Sequence, residues 1–139
     1  MELAKLVAMV PQQPFLFADT LRNNLTLDLV ITDAEVWNIL NLVDLGEDVL
    51  SFPQGIQTQL GEWGINLSGG QKQRLSLARA VVRTPKLLLL DDCLSAVDTK
   101  TADRILQNLD KHLSETTLIW VAHRESTLKY CQRKLEFTV

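Results

Sequence analysis

The sequence predicts an α/β fold, a parallel sheet flanked by helices. Two observations carry that expectation. Short apolar runs of strand length stand at Lys5–Val10, Leu87–Leu90 and Thr117–Ala122. Segments with apolar residues at helical spacing lie between them, and strands alternating with helices build a parallel sheet. The 139 residues suit one domain or a large piece of one, with no internal repeat and no low-complexity stretch.

Each element has a local reason. Lys5–Val10 stops at Pro11, as a buried strand does. Thr32–Val43 carries Val36, Ile39, Leu40 and Val43 on one helical face, with Asp33 and Glu35 in its first turn. Glu47–Ser51 is expected to add a short helix before Pro53, and the Gly-dotted stretch Gln54–Asn66 to be loop with some extended backbone. Ser68-Gly69-Gly70-Gln71 fits a capping box, opening a helix through Leu75, Ala78 and Val82 that Thr84-Pro85 ends. Leu87–Leu90 reads as a central strand buried on both faces. Thr99–Leu113 is amphipathic through Ala102, Ile105, Leu106, Leu109 and Leu113. Thr117–Ala122 is β-branched and aromatic, and a short helix and a last strand at Arg133–Val139 follow.

Composition narrows the function. Fourteen Lys and Arg stand against 17 Asp and Glu, a net charge of -3, which argues against a nucleic-acid grip built on bulk positive charge. With 46% hydrophobic residues, the chain is not a disordered acidic tail. No apolar run exceeds five residues, against the ~20 that cross a bilayer, and no secretory signal pattern is visible. Cys93 and Cys131 read as free thiols in a reducing compartment.

Ligands of open parallel sheets bind beyond the carboxyl ends of the strands, where polar residues cluster here. Gln12 follows the first strand, Asp91-Asp92 the central one and His123 the third. The Asp pair fits either a polar turn or a magnesium site, the first carboxylate holding the ion and the second orienting an attacking water. Ser68–Gln71 fits either an ordinary capped helix or an anion site. A helix N-terminus offers free N–H groups, and Gly69 and Gly70 let an oxygen approach the backbone. Gln12 and His123 are each uninformative alone; their convergence with the carboxylates points to phosphate, metal and water.

These residues resemble those of the ABC transporter ATPases. Leu67–Gln71 looks like the family's signature motif and Leu87–Asp92 like its Walker B strand. Ser95-Ala96-Val97-Asp98 resembles its D-loop, His123 its switch histidine and Gln12 its Q-loop glutamine, in family order over nearly the whole chain. Thr58–Gly64 and Phe15–Arg22 resemble the exporter style. The resemblance implies a partial P-loop NTPase core plus the family's α-helical subdomain. Residues 1–14 would hold the core strand and Q-loop, 15–83 the helical subdomain with the signature helix, and 84–139 the second half of the catalytic core.

Two departures matter. No GxxxxGK[ST] phosphate loop occurs in the 139 residues; Gly64 and Gly69 have the spacing, but Gly70 stands where Lys belongs. In this family that loop lies upstream of the Q-loop, so the chain is expected to be a C-terminal portion of the domain. Second, Asp92 replaces the usual catalytic Glu and is one methylene shorter. Family members with Asp there often form the weak site of a heterodimer.

The resemblance further implies ATP and Mg²⁺ as ligands, and two domains packed head to tail, possibly as a heterodimer, beside a transmembrane domain at the cytoplasmic face of a membrane. Ser68, Gly69, Gly70 and Gln71 would contact ATP held mainly by the partner. Asp91 would support Mg²⁺ and Asp92 would position water. His123 would contact the γ-phosphate, Gln12 would sense Mg²⁺ and water, and Asp98 would cross the dimer seam. The whole would be an exporter ATPase; the alternative is a non-catalytic module completing a partner's site. Trp37, Trp63 and Trp120 are read as packing residues and Cys93 as loop filler. Lys72, Arg74, Arg79 and Arg83 are read as a solvated helix face, and His112 as a helix-end charge.

Overall fold

The computed structural model describes residues 6–61 and 64–136. Lys5 of the first expected strand, Glu62-Trp63 and the last three residues of the Arg133–Val139 strand lie outside the described residues.

Three strands form one parallel sheet: β1 (Val7–Val10), β2 (Leu87–Asp91) and β3 (Thr117–Val121), in the order β1-β2-β3. Val7, Leu87 and Thr117 share one register position; Val10, Leu90 and Trp120 share another. Between β1 and β2 come α1 (Leu21–Thr26), α2 (Asp33–Leu42), α3 (Gly46–Ser51), a 3₁₀ turn (Gly55–Gln57) and α4 (Gly69–Val81). Helix α5 (Thr99–His112) joins β2 to β3, and α6 (Glu125–Leu128) follows β3.

Caps fix the helix starts. Thr32 Oγ1 accepts from the Glu35 N–H at 3.2 Å while the Glu35 carboxylate accepts from the Thr32 N–H at 2.8 Å, so two orphan donors of α2 are satisfied reciprocally. Ser68 and Gln71 do the same for α4. That helix ends at Val81, and Thr84 before Pro85 takes a left-handed φ of 45°.

Sequence reading missed α1, six residues too short for a periodic pattern. Its anchor is Asn24, fully buried, whose amide donates to the carbonyls of Phe17 and Thr20, each at 3.0 Å, and whose Oδ1 accepts from the Phe17 N–H at 2.7 Å. Among the described residues of the Gly-dotted stretch, extended pairing is confined to isolated bridges, Thr20 with Gln59 and Leu60 with Ile65. Residues 133–136 are exposed and not a strand. Lys134 Nζ lies 3.0 Å from the Glu136 carboxylate there, and among the described residues β3 pairs only with β2.

The central strand is buried on one face, not both. Leu88 and Leu90 share a closed core with Val10, Leu75, Leu77 and Ile105, whereas Leu87 and Leu89 are only half-buried. On the same face as Leu89, Met9 is 59%, Ile119 54% and Val121 51% exposed. A parallel sheet normally carries a layer on each face; the described residues cover one.

The expected solvated face of α4 is corrected at Arg74 and Arg79, whereas Arg83 pairs with Asp28 at the surface. The Arg74 guanidinium donates to the Asp48 carboxylate at 3.1 Å and to the Asp44 carbonyl. Arg79 donates to the carbonyls of Asn24 (2.7 Å) and Phe15 (2.8 Å), and Arg83 to the Asp28 carboxylate at 2.6 Å. Arg74 and Arg79 thus tie α4, and Arg83 the turn that follows it, to earlier segments. Trp37 and Trp120 pack partly buried against the core.

Candidate functional site

The polar residues beyond the three strands meet. Asp92 follows β2 directly and takes a left-handed φ of 47°, which turns the chain out of the sheet. Asp tolerates this better than bulkier residues because its short side chain can bond locally. Its N–H still donates to the Val121 carbonyl at 2.8 Å, so the turn stays fastened to β3. Gln12, past β1, donates from Nε2 to the Asp92 carboxylate at 3.4 Å. His123, past β3, places Nε2 4.0 Å from the same oxygen while its ring remains largely exposed. One strand end thus supplies a carboxylate, and its two neighbours supply an amide and an imidazole. Asp91 is the last residue of β2, half-buried and in register with Val121.

Ser68, Gly69, Gly70 and Gln71 form the first turn of α4 and its cap. The Gln71 amide is further engaged, donating to Asp48 at 3.2 Å. The oxygen that approaches Gly70 is the Ala96 carbonyl, 3.0 Å from where a Cβ would sit, so the glycine allows the helix end to lie against the loop after β2. Among the described residues, no hydrogen bond joins Ser68–Gln71 directly to Gln12, Asp92 or His123.

Two residues that sequence reading passed over provide links. Gln73, buried in α4, donates to the Gln12 carbonyl at 3.2 Å and to Ser95 Oγ at 2.9 Å, and accepts from the Ala96 N–H at 2.8 Å. Arg124, next to His123, donates to the carbonyls of Val97 (2.8 Å) and Ser95 (2.9 Å). Gln73 was findable: it stands four residues before the buried Leu77, on the inward face of the helix. No spacing rule points to Arg124. Asp98 caps α5, accepting from the Thr101 N–H at 3.1 Å, and the Thr101 hydroxyl and amide hold its carboxyl below the usual range.

Cys93 is fully buried beside the two carboxylates. Burial pushes its thiol from 9.0 up to about 12, with Asp92 and Asp91 adding to the rise. A thiol-specific reagent at pH 8 is therefore expected to modify Cys131 quickly and Cys93 only at the rate of unfolding. Mass mapping of the labelled peptides checks this. The sign for stability is definite: protection of the thiol is complete below pH 9 and its contribution is lost as pH rises toward 12.

Among the described residues, no group of three or more His, Cys, Asp and Glu could enclose a metal ion. Magnesium does not require one, since it commonly takes one or two carboxylates and completes its shell with water and phosphate oxygens. The Asp91 carboxylate fits that demand. The Gln12 amide nitrogen is turned to Asp92, which leaves its oxygen as a further neutral donor that could join such a shell.

Comparison with known proteins gives the class. Residues 1–95 match the family model described as ABC transporter, and the chain belongs to that family. It is 46% identical over 123 residues to the multidrug resistance-like ATP-binding protein MdlA of Escherichia coli (strain K12), covering 88% of this chain and 21% of that protein. A putative export ATP-binding/permease protein of Rickettsia prowazekii (strain Madrid E) is 37% identical over 129 residues, covering 92% of this chain and 22% of the relative. The solved structure of a bacterial Atm1-family ABC exporter with ATP bound superposes with a TM-score of 0.83 at 37% identity, covering 90% of this chain and 22% of that one. The relatives are exporter-type, and the chain matches a C-terminal portion of their ATP-binding domain, spanning about a fifth of the first relatives' length. No helix among the described residues is long and apolar enough to cross a membrane.

Proposed function

We propose that this chain is part of the ATP-binding and hydrolysing domain of an exporter-type ABC transporter, coupling hydrolysis to transport across a membrane at whose cytoplasmic face it works. The observation that carries this reading is the meeting of Gln12, Asp92 and His123 beyond three adjacent parallel strands. Asp92 orients the attacking water and accepts its proton, and Gln12 holds the Asp92 carboxylate in place. His123, exposed at the rim, donates to the γ-phosphate of ATP. Asp91 and the Gln12 amide oxygen would hold Mg²⁺, which when bound offsets charge on the phosphate oxygens. Positioning and charge stabilisation are most of what phosphoryl transfer needs.

The first turn of α4 faces a second ATPase domain in this reading. Its backbone N–H groups and Ser68 would contact ATP held mainly by that partner, with Asp98 at the seam. The 15–83 segment forms the helical subdomain between the core pieces 1–14 and 84–139. A transmembrane domain docks on its surface, where Phe15 and Phe17 meet edge to face at 5.0 Å and remain exposed beside a cleft lined by Leu60 and Leu67. Nucleic acid has no role here. The short Asp92 favours one variant reading, a weak site whose main contribution is an intact signature helix lent to a stronger partner.

Titration calorimetry tests the site. With no GxxxxGK[ST] among its 139 residues, the chain alone is expected to bind Mg-ATP no tighter than ~1 mM, about -4 kcal/mol. Mixed with an ABC half-domain that carries that loop, it should restore hydrolysis, and Ser68→Arg should abolish the gain. Micromolar binding by the chain alone, or full rescue by Ser68→Arg, contradicts the proposal.

A further inference from the structure

The loop Ser95–Val97 is gripped from two sides. From α4, the Gln73 side chain reaches the Ser95 hydroxyl and the Ala96 N–H; from the segment after β3, the Arg124 guanidinium spans the Ser95 and Val97 carbonyls. The same two residues reach the partners of Asp92. Gln73 holds the Gln12 carbonyl, and Arg124 is the chain neighbour of His123. We propose that Gln73 and Arg124 are positioning residues that fasten the Ser95–Val97 loop to the segments bearing Gln12 and His123, so that both neighbours of the Asp92 carboxylate move with that loop.

The chemistry of the two side chains supports this. A primary amide has two N–H donors and one carbonyl acceptor. Gln73 uses both kinds at once, on three groups from two distant segments, while only 5% exposed. In so dry a setting each bond is strong, and a missing partner is costly. No apolar residue of similar size could replace it without leaving the Ala96 N–H and the Gln12 carbonyl unpaired. Arg124 adds a rigid planar fork, whose two arms set the spacing of two carbonyls two residues apart. The loop is also in contact with the first turn of α4 through the Ala96 carbonyl against Gly70. A shift of that helix end must therefore displace the loop, and with it Gln12 and His123.

The consequence for hydrolysis rests on the function proposed above; the linkage does not, and it is tested without nucleotide. In NMR spectra of the 139-residue chain, Gln73→Met is expected to speed amide exchange at Ala96 about tenfold and to move the Gln12 side-chain amide resonances. Gln73→Glu keeps an acceptor for the Ala96 N–H and loses the donor to the Gln12 carbonyl. It should leave Ala96 protected while the Gln12 resonances still move. Arg124→Gln should shift the His123 imidazole signals, which the exposed control Arg133→Gln should not. Unchanged Ala96 exchange in Gln73→Met, simultaneous loss of both signatures in Gln73→Glu, or unmoved His123 signals in Arg124→Gln would overturn the proposal. Should the Met variant fail to fold, the split in the Glu variant decides.

Discussion

Asp92→Glu is expected to raise hydrolysis by the assembled site about 100-fold. The Asp92 carboxylate is held back by its own backbone: a left-handed turn straight off β2, an N–H fixed to the Val121 carbonyl, and Gln12 at 3.4 Å on one oxygen. One more methylene carries the carboxylate outward by roughly 1.5 Å. A misplacement of 1 Å at a reacting group costs ~100-fold, so the added reach should recover a factor of that order, ~2.7 kcal/mol of barrier. Single-turnover hydrolysis in the mixture with the loop-bearing half-domain measures it. A rate that stays flat or drops removes Asp92 from the water-positioning role. Glu sits less well than Asp at a positive φ, so the gain should come with ~1 kcal/mol lower stability.

Asn24→Ala is expected to destabilise the chain by about 2 kcal/mol. Its side chain closes the turn before α1 from within, through the Phe17 N–H and the carbonyls of Phe17, Asp19 and Thr20. It also receives Arg79 from α4, at 3.3 Å. Removing it leaves the Phe17 N–H without its acceptor, a loss worth ~1–3 kcal/mol, while the three carbonyls keep the N–H groups of Asp19, Leu60 and Asn24. Urea unfolding with a constant m-value gives the loss directly. A change below ~1 kcal/mol would mean that the turn is held by Arg79 and the backbone alone.

What the sequence made legible was local. Capping residues, apolar period and proline stops are properties of neighbouring positions, so α2, α3, α4, α5 and the three strands could be placed from them. The polar tips beyond the strands were legible for a related reason: a parallel sheet places all its carboxyl ends along one rim, and Gln12, Asp92 and His123 follow three such ends. Partnerships across the fold were not legible. The arginines of α4 looked solvated because a helix pattern does not say which carbonyls will come to meet it. Leu87–Leu90 looked buried on both faces because an apolar run reads the same whether or not a layer is present. Gln73 looked like one more polar residue in a polar stretch, although its three bonds fix how Gln12 and the Ser95–Val97 loop sit.

The two crossovers of the sheet differ greatly in span, and this bears on how the molecule assembles. The bond from Thr116 to Pro85, at the foot of β2 and β3, closes 31 residues; the one from Gln12 to Asp92 closes 80. Ring closure over the longer stretch costs ~0.8 kcal/mol more entropy, and its intervening helices must be in place before β1 has a wall to dock on. β2, α5 and β3 are therefore expected to come together early in folding and β1 to arrive late, bringing Gln12 to the carboxylate and the imidazole. An error anywhere among α1 to α4 would thus show itself far away, as a strand that never joins its neighbour.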